Sequence, residues 1–540
     1  MKKLKRLLVL ILAITLIAGV GYKITDDGDD FELLKNLEIY HNVLKQLRIN
    51  YVDEIDTRQI ITQSIDKMLE NLDPYTVYYP EAEIESIRLL SEAQYVGVGI
   101  SIDTFKNNIY ITDIENKSSA NKQGLQIGDI ITAVNDIKTN DKSLSDFDRL
   151  LSGQANTTVN LTIKRGETEK IYSLKRENIE LPVVSLVEKI DNFGYIKLET
   201  FSDKSASEFK AALITLKKQK IEGLIIDLRD NPGGLLDQAV KIVNLFIDKD
   251  MLVVTSKGKC ENSNGSFFTT EKPIDKDIPI IVLVNSHSAS ASEIVAGALQ
   301  DYDRAIIIGE QTYGKGLVQR IFDVGYNSKI KITISKYYIP SGRCIQAIDY
   351  SGNDAKNVNI SDTKFYTTNG RIVYEGIGIV PDILIESDTL PEIIQTLNKK
   401  HFIFLFTNNY YQTLDTSKIE VAQKISFQDK ENFINYLKVN NFFETTDEIR
   451  NIKEIEKSMK GNNVVEAQLL ETKSLIIKEI EKQITNNFKY INILVSKQIV
   501  KRKYLHKGEI MFSLTHDQEI KKAKFYLSNF KEYESILKKK

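Results

Sequence analysis

The chain has 540 residues, 42% of them hydrophobic and 27% charged, with a formal net charge of −2 at pH 7. That balance describes a folded protein of several domains, and with Lys and Arg spread among the acids nothing predicts nucleic-acid binding. The two cysteines, Cys260 and Cys344, and the five scattered histidines form neither a disulfide framework nor a zinc motif, so no metal and no cofactor is expected, and whether the thiols pair is left open.

A basic head over residues 1–6 precedes an almost wholly apolar run over 7–20. This is the shape of an export signal, shorter than the roughly 20 residues of a membrane span. Residues 1–24 are therefore expected to be a signal peptide or a retained membrane anchor. The remainder is expected to be exported, to the periplasm or the extracytoplasmic face of the cell membrane. Residues 25–88 read as a helical region, with Leu33, Leu34, Leu37, Val43, Leu44 and Leu47 at helical spacing and a break at Asp73-Pro74. A hairpin this short cannot bury its apolar face alone, which suggests a cap on the next domain or an arm for a homodimer or higher oligomer.

From Tyr95 the pattern turns to short strands. Gly97 and Gly99 flank Val98, an alternating strand follows at 109–111, and Gly124-Leu-Gln-Ile-Gly-Asp-Ile stands before a last clear strand at 159–163. Residues 89–178 resemble a PDZ domain. In such a module the backbone N–H groups around Val98, Gly99 and Ile100 face one concavity and can receive a peptide's terminal carboxylate.

Residues 223–228 read as a buried strand ending in Arg-Asp-Asn-Pro-Gly-Gly over 229–234, and 235–247 as a helix. A second buried strand spans 280–284. The Ser-Ala alternation of Ser288, Ser290 and Ser292 then leads into a helix over 293–300, a strand over 305–308 and a loop over 309–316 carrying Lys315. Strands alternating with helices predict an α/β core with largely parallel pairing. Residues 336–343 and 376–382 read as its closing edge, and 349–371 as a polar surface insertion. Residues 390–540 read as helical and carry no chemical motif.

Three serines compete as nucleophile. A hydroxyl needs a base to take its proton, and Lys315 can serve only if its pKa falls from about 10.4 toward roughly 7–8. Gln319 could hydrogen-bond the neutral amine. Against this, Ser290 with Glu293 makes a capping box, and Ser292 could equally start the helix. Residues 309–316 nearly make a P-loop, but Gly316 stands where Ser or Thr should bind Mg²⁺, and a strand-like run comes after it. A Ser-His pair with His287 lacks an identifiable acidic orienter.

The combination of Tyr95-Val-Gly-Val-Gly, Asp227-Leu-Arg-Asp-Asn-Pro-Gly-Gly, Ser288-Ala-Ser-Ala-Ser-Glu and Thr312-Tyr-Gly-Lys-Gly-Leu-Val-Gln resembles the carboxy-terminal processing (tail-specific) serine proteases. The resemblance spans about residues 35–385. It implies a protease core similar to the crotonase-like fold over 179–389, with the PDZ domain inserted before it. It also implies Ser290 as nucleophile, Lys315 as base, Gln319 as its support, and the backbone N–H groups of Gly233 and Ala291 as oxyanion donors. The function so implied is that of an exported serine endopeptidase acting on proteins with accessible C-termini, whose tails the PDZ domain recognises. The long segment after Arg343 and the C-terminal region depart from the simplest members. A secreted PDZ scaffold with a dead core, and a crotonase-like enzyme acting on acyl-thioesters, are the competing readings. The intact site residues speak against the first, and the export signal and PDZ domain against the second.

Overall fold

Three runs in the middle of the chain, Gly-Leu-Ile-Ile-Asp, Ile-Ile-Val-Leu-Val and Ala-Ile-Ile-Ile-Gly, are buried at every position. Strands hidden on both faces belong in a parallel sheet covered on two sides. The computed structural model describes residues 27–81, 92–139, 144–350, 356–357, 363–386, 390–419, 424–461 and 463–538. The expected export segment lies outside these, as does much of the 349–371 insertion. Among the described residues no helix is long and apolar enough to cross a membrane.

The chain divides into two units, residues 1–78 and 79–540. In the first, α1 (Asp27–Asn50) and α2 (Thr57–Leu69) form the expected helices. Asp56 starts α2 by accepting the Arg58 and Gln59 amides. Leu33, Leu34, Leu37, Val43 and Leu47 are exposed on α1. At the predicted break the Asp73 carboxylate takes the Tyr75 and Thr76 amides at 2.8 and 2.9 Å and turns the chain, and residues 82–91 of the expected helical region lie outside the described ones.

In the second unit, β1 (Gln94–Gly97) opens a small β-domain. Strands β2 (Ile100–Phe105), β3 (Asn108–Ile114) and β4 (Ile130–Val134) come next, then helix α3 (Leu144–Leu151) and strands β5 (Thr158–Arg165) and β6 (Thr168–Lys175). Sheet order is β2-β3-β4-β5-β6. Strand β7 (Glu177–Glu180) returns antiparallel to β1, so a two-stranded ribbon links this domain to the main sheet.

The main sheet runs β8 (Val184–Ile190), β9 (Phe193–Leu198), β10 (Gly223–Asp227), β12 (Ile280–Val284), β13 (Ala305–Gly309) and β16 (Ile383–Leu384). Only the β8–β9 pair is antiparallel. One face, with Leu224, Ile226, Val282 and Ile307, packs on helices α4 (Ser205–Lys218), α5 (Leu236–Val243) and α6 (Ala291–Asp301). A separate antiparallel sheet holds β11 (Leu252–Gly258) beside β15 (Ser328–Tyr338), which pairs with β14 (Leu317–Gly325).

The other face of the main sheet, with Ile225, Ile281, Leu283, Ile306 and Ile308, is covered by the end of the chain. Ile510 comes from α8 (Phe488–His516), Ile520, Ala523 and Leu527 from α9 (Gln518–Ser528), and Tyr533 from α10 (Phe530–Leu537). The C-terminal region thus completes the sandwich, besides holding an aromatic core of its own around α7 (Phe402–Thr413) with Phe406, Phe427 and Phe433. The Tyr533 hydroxyl lies 3.0 Å from the Ile280 amide and 3.1 Å from the Ile280 carbonyl, closing the edge of a central strand. Tyr533→Phe strands these buried groups, and thermal unfolding should show a loss of about 1–3 kcal/mol.

Candidate active site

Strand β12 ends at Val284, and the turn to α6 is built by the alternating serines. Their fates differ. The buried Ser288 hydroxyl donates to the Leu228 carbonyl at 2.8 Å, and the buried Ser292 hydroxyl donates to the Asn231 carbonyl at 3.0 Å. Both are spent tying this turn to the end of β10. Ser290 has φ 56° and ψ −113°, a strained conformation for a residue with a side chain. It lines a cavity of about 370 Å³ with Pro232, Gly233, Ala291, Lys315 and Gln319. The structure therefore gathers Ser290, Lys315, Gln319, Gly233 and Ala291 around one space, walled by Leu235, Leu236, Ile294, Leu317 and Val318.

Glu293 holds the two loops together. Its carboxylate is fully buried, in the first turn of α6. Oε2 accepts the amides of Ser290 at 2.8 Å and Lys315 at 2.9 Å. Oε1 accepts the Thr312 hydroxyl at 2.5 Å and the Gly314 amide at 2.7 Å. Burial pushes its pKa up to about 7, against the hydrogen bonds from Thr312, Lys315, Gly314 and Ser290 that favour the ionised form. From the other side, the Tyr337 hydroxyl lies 3.0 Å from the Ser290 carbonyl and 2.6 Å from the Lys315 carbonyl. Residues 290 and 315 are thus bridged twice, amide to amide through Glu293 and carbonyl to carbonyl through Tyr337. Gln319 donates to the Thr333 hydroxyl at 3.3 Å across β14 and β15.

The Pro-Gly-Gly turn lies against the serine turn. Gly233 has φ +99°, and a Cβ there would stand 2.7 Å from the Ser290 Cβ and 2.9 Å from the Ala291 nitrogen. The Gly233 amide donates to the Asn231 Oδ1 at 2.9 Å, and its carbonyl accepts the Phe201 amide at 3.0 Å. Ala291 is the first residue of α6, where backbone N–H groups have no acceptor within the helix.

His287 is elsewhere. It lines a second cavity, of about 600 Å³, with Asp230 and Glu310, and its Nδ1 is 3.4 Å from the Asp230 Oδ1. The acidic neighbour that sequence reasoning could not identify exists, but the pair borders a space that Ser290 does not line. Glu310 is likewise away from the Lys315 cavity. In the same region Asp227 is fully buried. Against burial, which pushes it up, the Arg229 guanidinium 2.6 Å away and Lys197 hold its carboxyl well below the usual carboxylate range.

In the small β-domain, Val98 is buried in the core and Gly99 has φ +80°, with a would-be Cβ 2.2 Å from the Ser118 Cβ. Ile100 opens β2, and with Ile102 and the α3 residue Leu150 it packs half-buried against that core.

Sequence reasoning missed three residues. Glu293 was legible only as a helix cap, Asn231 stood inside the Asp-Asn-Pro-Gly-Gly motif with no role assigned to it, and Tyr337 carried no motif. The one available signal was an acid three residues after Ser290, ahead of the otherwise apolar run that opens α6.

An α/β core with a cavity at its serine turn, and a small β-domain ahead of it, can be set against known proteins. Residues 192–351 match the model for peptidase family S41, 110–165 that for the PDZ domain, and 393–527 that for a "probable PDZ-protease, C-terminal helical domain". A carboxy-terminal-processing protease of Bartonella bacilliformis is 33% identical over 363 residues, covering 66% of this chain and 76% of that protein. A probable CtpA-like serine protease of Staphylococcus epidermidis is 34% identical over 371 residues, 68% of this chain and 72% of that protein. Among solved structures, the photosystem II D1 C-terminal processing protease aligns at 25% identity and a TM-score of 0.36, covering 64% of this chain and 87% of that one. The chain belongs to peptidase family S41, as a C-terminal processing serine protease with a PDZ domain.

Proposed function

We propose that the enzyme works through a Ser290–Lys315 dyad and takes its substrates by their C-terminal tails. The supporting observation is the double bridge that fixes residues 290 and 315 on one cavity while Ser288 and Ser292 are consumed structurally. Lys315 as neutral base takes the Ser290 hydroxyl proton as Oγ attacks the scissile carbonyl. The C–N bond then breaks, the proton passes to the leaving amine, and an acyl-enzyme remains. Water cleaves that ester with Lys315 again taking the proton, releasing the new carboxylate and restoring the hydroxyl.

To serve as base Lys315 would have to be held as the neutral amine, and Leu235, Leu236, Ile294, Leu317 and Val318 wall the cavity it lines. Gln319 would orient the amine. The amides of Gly233 and Ala291 would hold the oxyanion, for which Gly233 must share or release its bond to Asn231. Gly233→Ala places a methyl against Ser290 at a positive φ, and kcat should fall about 10²-fold or more, measured on a peptide substrate beside an unfolding curve.

Val98, Gly99 and Ile100 would receive the tail carboxylate, with Ile100, Ile102 and Leu150 as apolar walls for the last side chain. The expected test pairs a peptide bearing a free C-terminus with its C-terminal amide. The amide should show a KM about tenfold higher at similar kcat, since tenfold is about 1.4 kcal/mol of lost binding. Equal KM values would remove tail recognition from the account. Export by the N-terminal segment, membrane association through it, and homodimerisation through the exposed apolar residues of α1 complete the proposal.

A further inference from the structure

The C-terminal helices touch the PDZ domain as well as the protease core, and the contacts form a continuous chain. On the PDZ side, Phe404 of α7 packs on Phe105 and Tyr110, with ring centroids 5.2 and 6.0 Å apart. Asn408 of the same helix donates to the Gly128 carbonyl at 3.0 Å, and Lys501 of α8 pairs with Asp113 on β3 at 2.7 Å. From Lys501 the charges alternate. Its amine is 3.3 Å from Glu509, whose carboxylate is 3.6 Å from the His506 Nδ1, and the His506 Nε2 is 3.3 Å from Glu199. Hydrogen bonds to Glu199 and Glu509 lift the His506 pKa to about 9, so the chain reads minus, plus, minus, plus, minus from PDZ to core.

Glu199 precedes two residues that grip the Gly233 turn. The Thr200 hydroxyl and the Phe201 amide both donate to the Gly233 carbonyl, at 3.2 and 3.0 Å. Between Lys501 and His506, α8 is broken at Leu505, which has φ 56° and ψ −158°, a conformation that is essentially glycine's. The Leu505 side chain packs on the PDZ core. A strained residue persists only where its surroundings over-determine it. Here those surroundings are the PDZ domain and the ion chain.

We infer that the C-terminal helical region couples the PDZ domain to the Gly233 turn, through the ion chain and the helix break at Leu505. The β1/β7 ribbon is a second link between the PDZ domain and the core. Through the C-terminal region, displacement of the PDZ domain is felt at Glu199 and so beside the cavity that Ser290 lines. The inference does not need the catalytic roles proposed above, because it concerns the transmission and not the chemistry.

The test is amide hydrogen exchange on the full chain, with one conservative variant at each end. Asp113→Asn and Glu199→Gln do not touch one another. Each is expected to raise exchange about threefold or more at the opposite end, at residues 198–202 for Asp113→Asn and at β3 and α7 for Glu199→Gln. The double variant should be no worse than either single one. Effects confined to each variant's own end and additive in the double would overturn the coupling. So would a parallel rise in Gly223–Asp227 and Ile280–Val284, which would mean general loosening of the core.

Discussion

Lys315→Ala is expected to lower kcat on a peptide substrate by about 10⁴-fold or more, and Ser290→Ala to match it, because members of such a unit fail together and not additively. Neither side chain should matter greatly to the fold. Lys315 lines a cavity, and its loop is held by its backbone: its amide goes to Glu293, its carbonyl to Tyr337, and the Gly316 amide to the Gln346 Oε1 at 2.7 Å. The loss should therefore appear in turnover at a nearly unchanged melting temperature. Lys315→Arg should not rescue, since a guanidinium stays protonated.

Glu293→Gln carries the second largest effect. Four donors converge on this buried carboxylate: three amides and the Thr312 hydroxyl. An amide side chain must turn its NH₂ toward one oxygen's position, and each of those positions faces at least one backbone N–H. Ser290 and Lys315 then lose a shared anchor, and displacement on the order of 1 Å at a catalytic group costs about 10²-fold in rate. The expected outcome is a kcat reduced by about that factor with KM within about threefold. Glu293→Ala leaves all four donors unpaired, and urea titration should show several kcal/mol lost. Stability from this group has a definite sign with pH. Because burial raises its folded pKa to about 7 from the ordinary 4.5, the folded state holds the proton more tightly than the unfolded one. The contribution is therefore most favourable below about pH 4.5 and declines as pH rises through 7. A kcat unaffected by Glu293→Gln would show that the bridge does not position the dyad.

Much of the core was legible because its strands are unbroken apolar runs. The run at 280–284, bounded by Pro279 and Asn285, matches β12 residue for residue. The helix predicted from 293 starts at Ala291, because the strained Ser290 already stands at its cap. The helix predicted to 247 ends at Val243, where the Asn244 Oδ1 turns to accept the Thr270 and Glu271 amides. Strand β6 escaped notice since only Leu174 of its eight residues is buried, which leaves little alternation to read.

The choice among three serines could not be made from residues 285–319 alone. It depends on the carbonyls of Leu228 and Asn231, about 60 positions earlier, which take the hydroxyls of Ser288 and Ser292. The same holds for Tyr337, which meets Ser290 only once β15 is laid down. The polar stretch at 349–371 reads as surface, yet Arg371 is tied inward to Asp303 and Asp382. The role of the chain's last part was implicit in the wholly apolar strands, since residues buried on both faces demand two covers. One is supplied by α4, α5 and α6, and the other by α8, α9 and α10.

The most direct test of the dyad is the rate and site of labelling by a fluorophosphonate, read out by peptide mass spectrometry. Wild-type enzyme should carry the adduct on Ser290, and Lys315→Ala should label there at least about 10³-fold more slowly, the scale of loss when a nucleophile's base is removed. An adduct on another serine, or a wild-type rate in Lys315→Ala, would contradict the account.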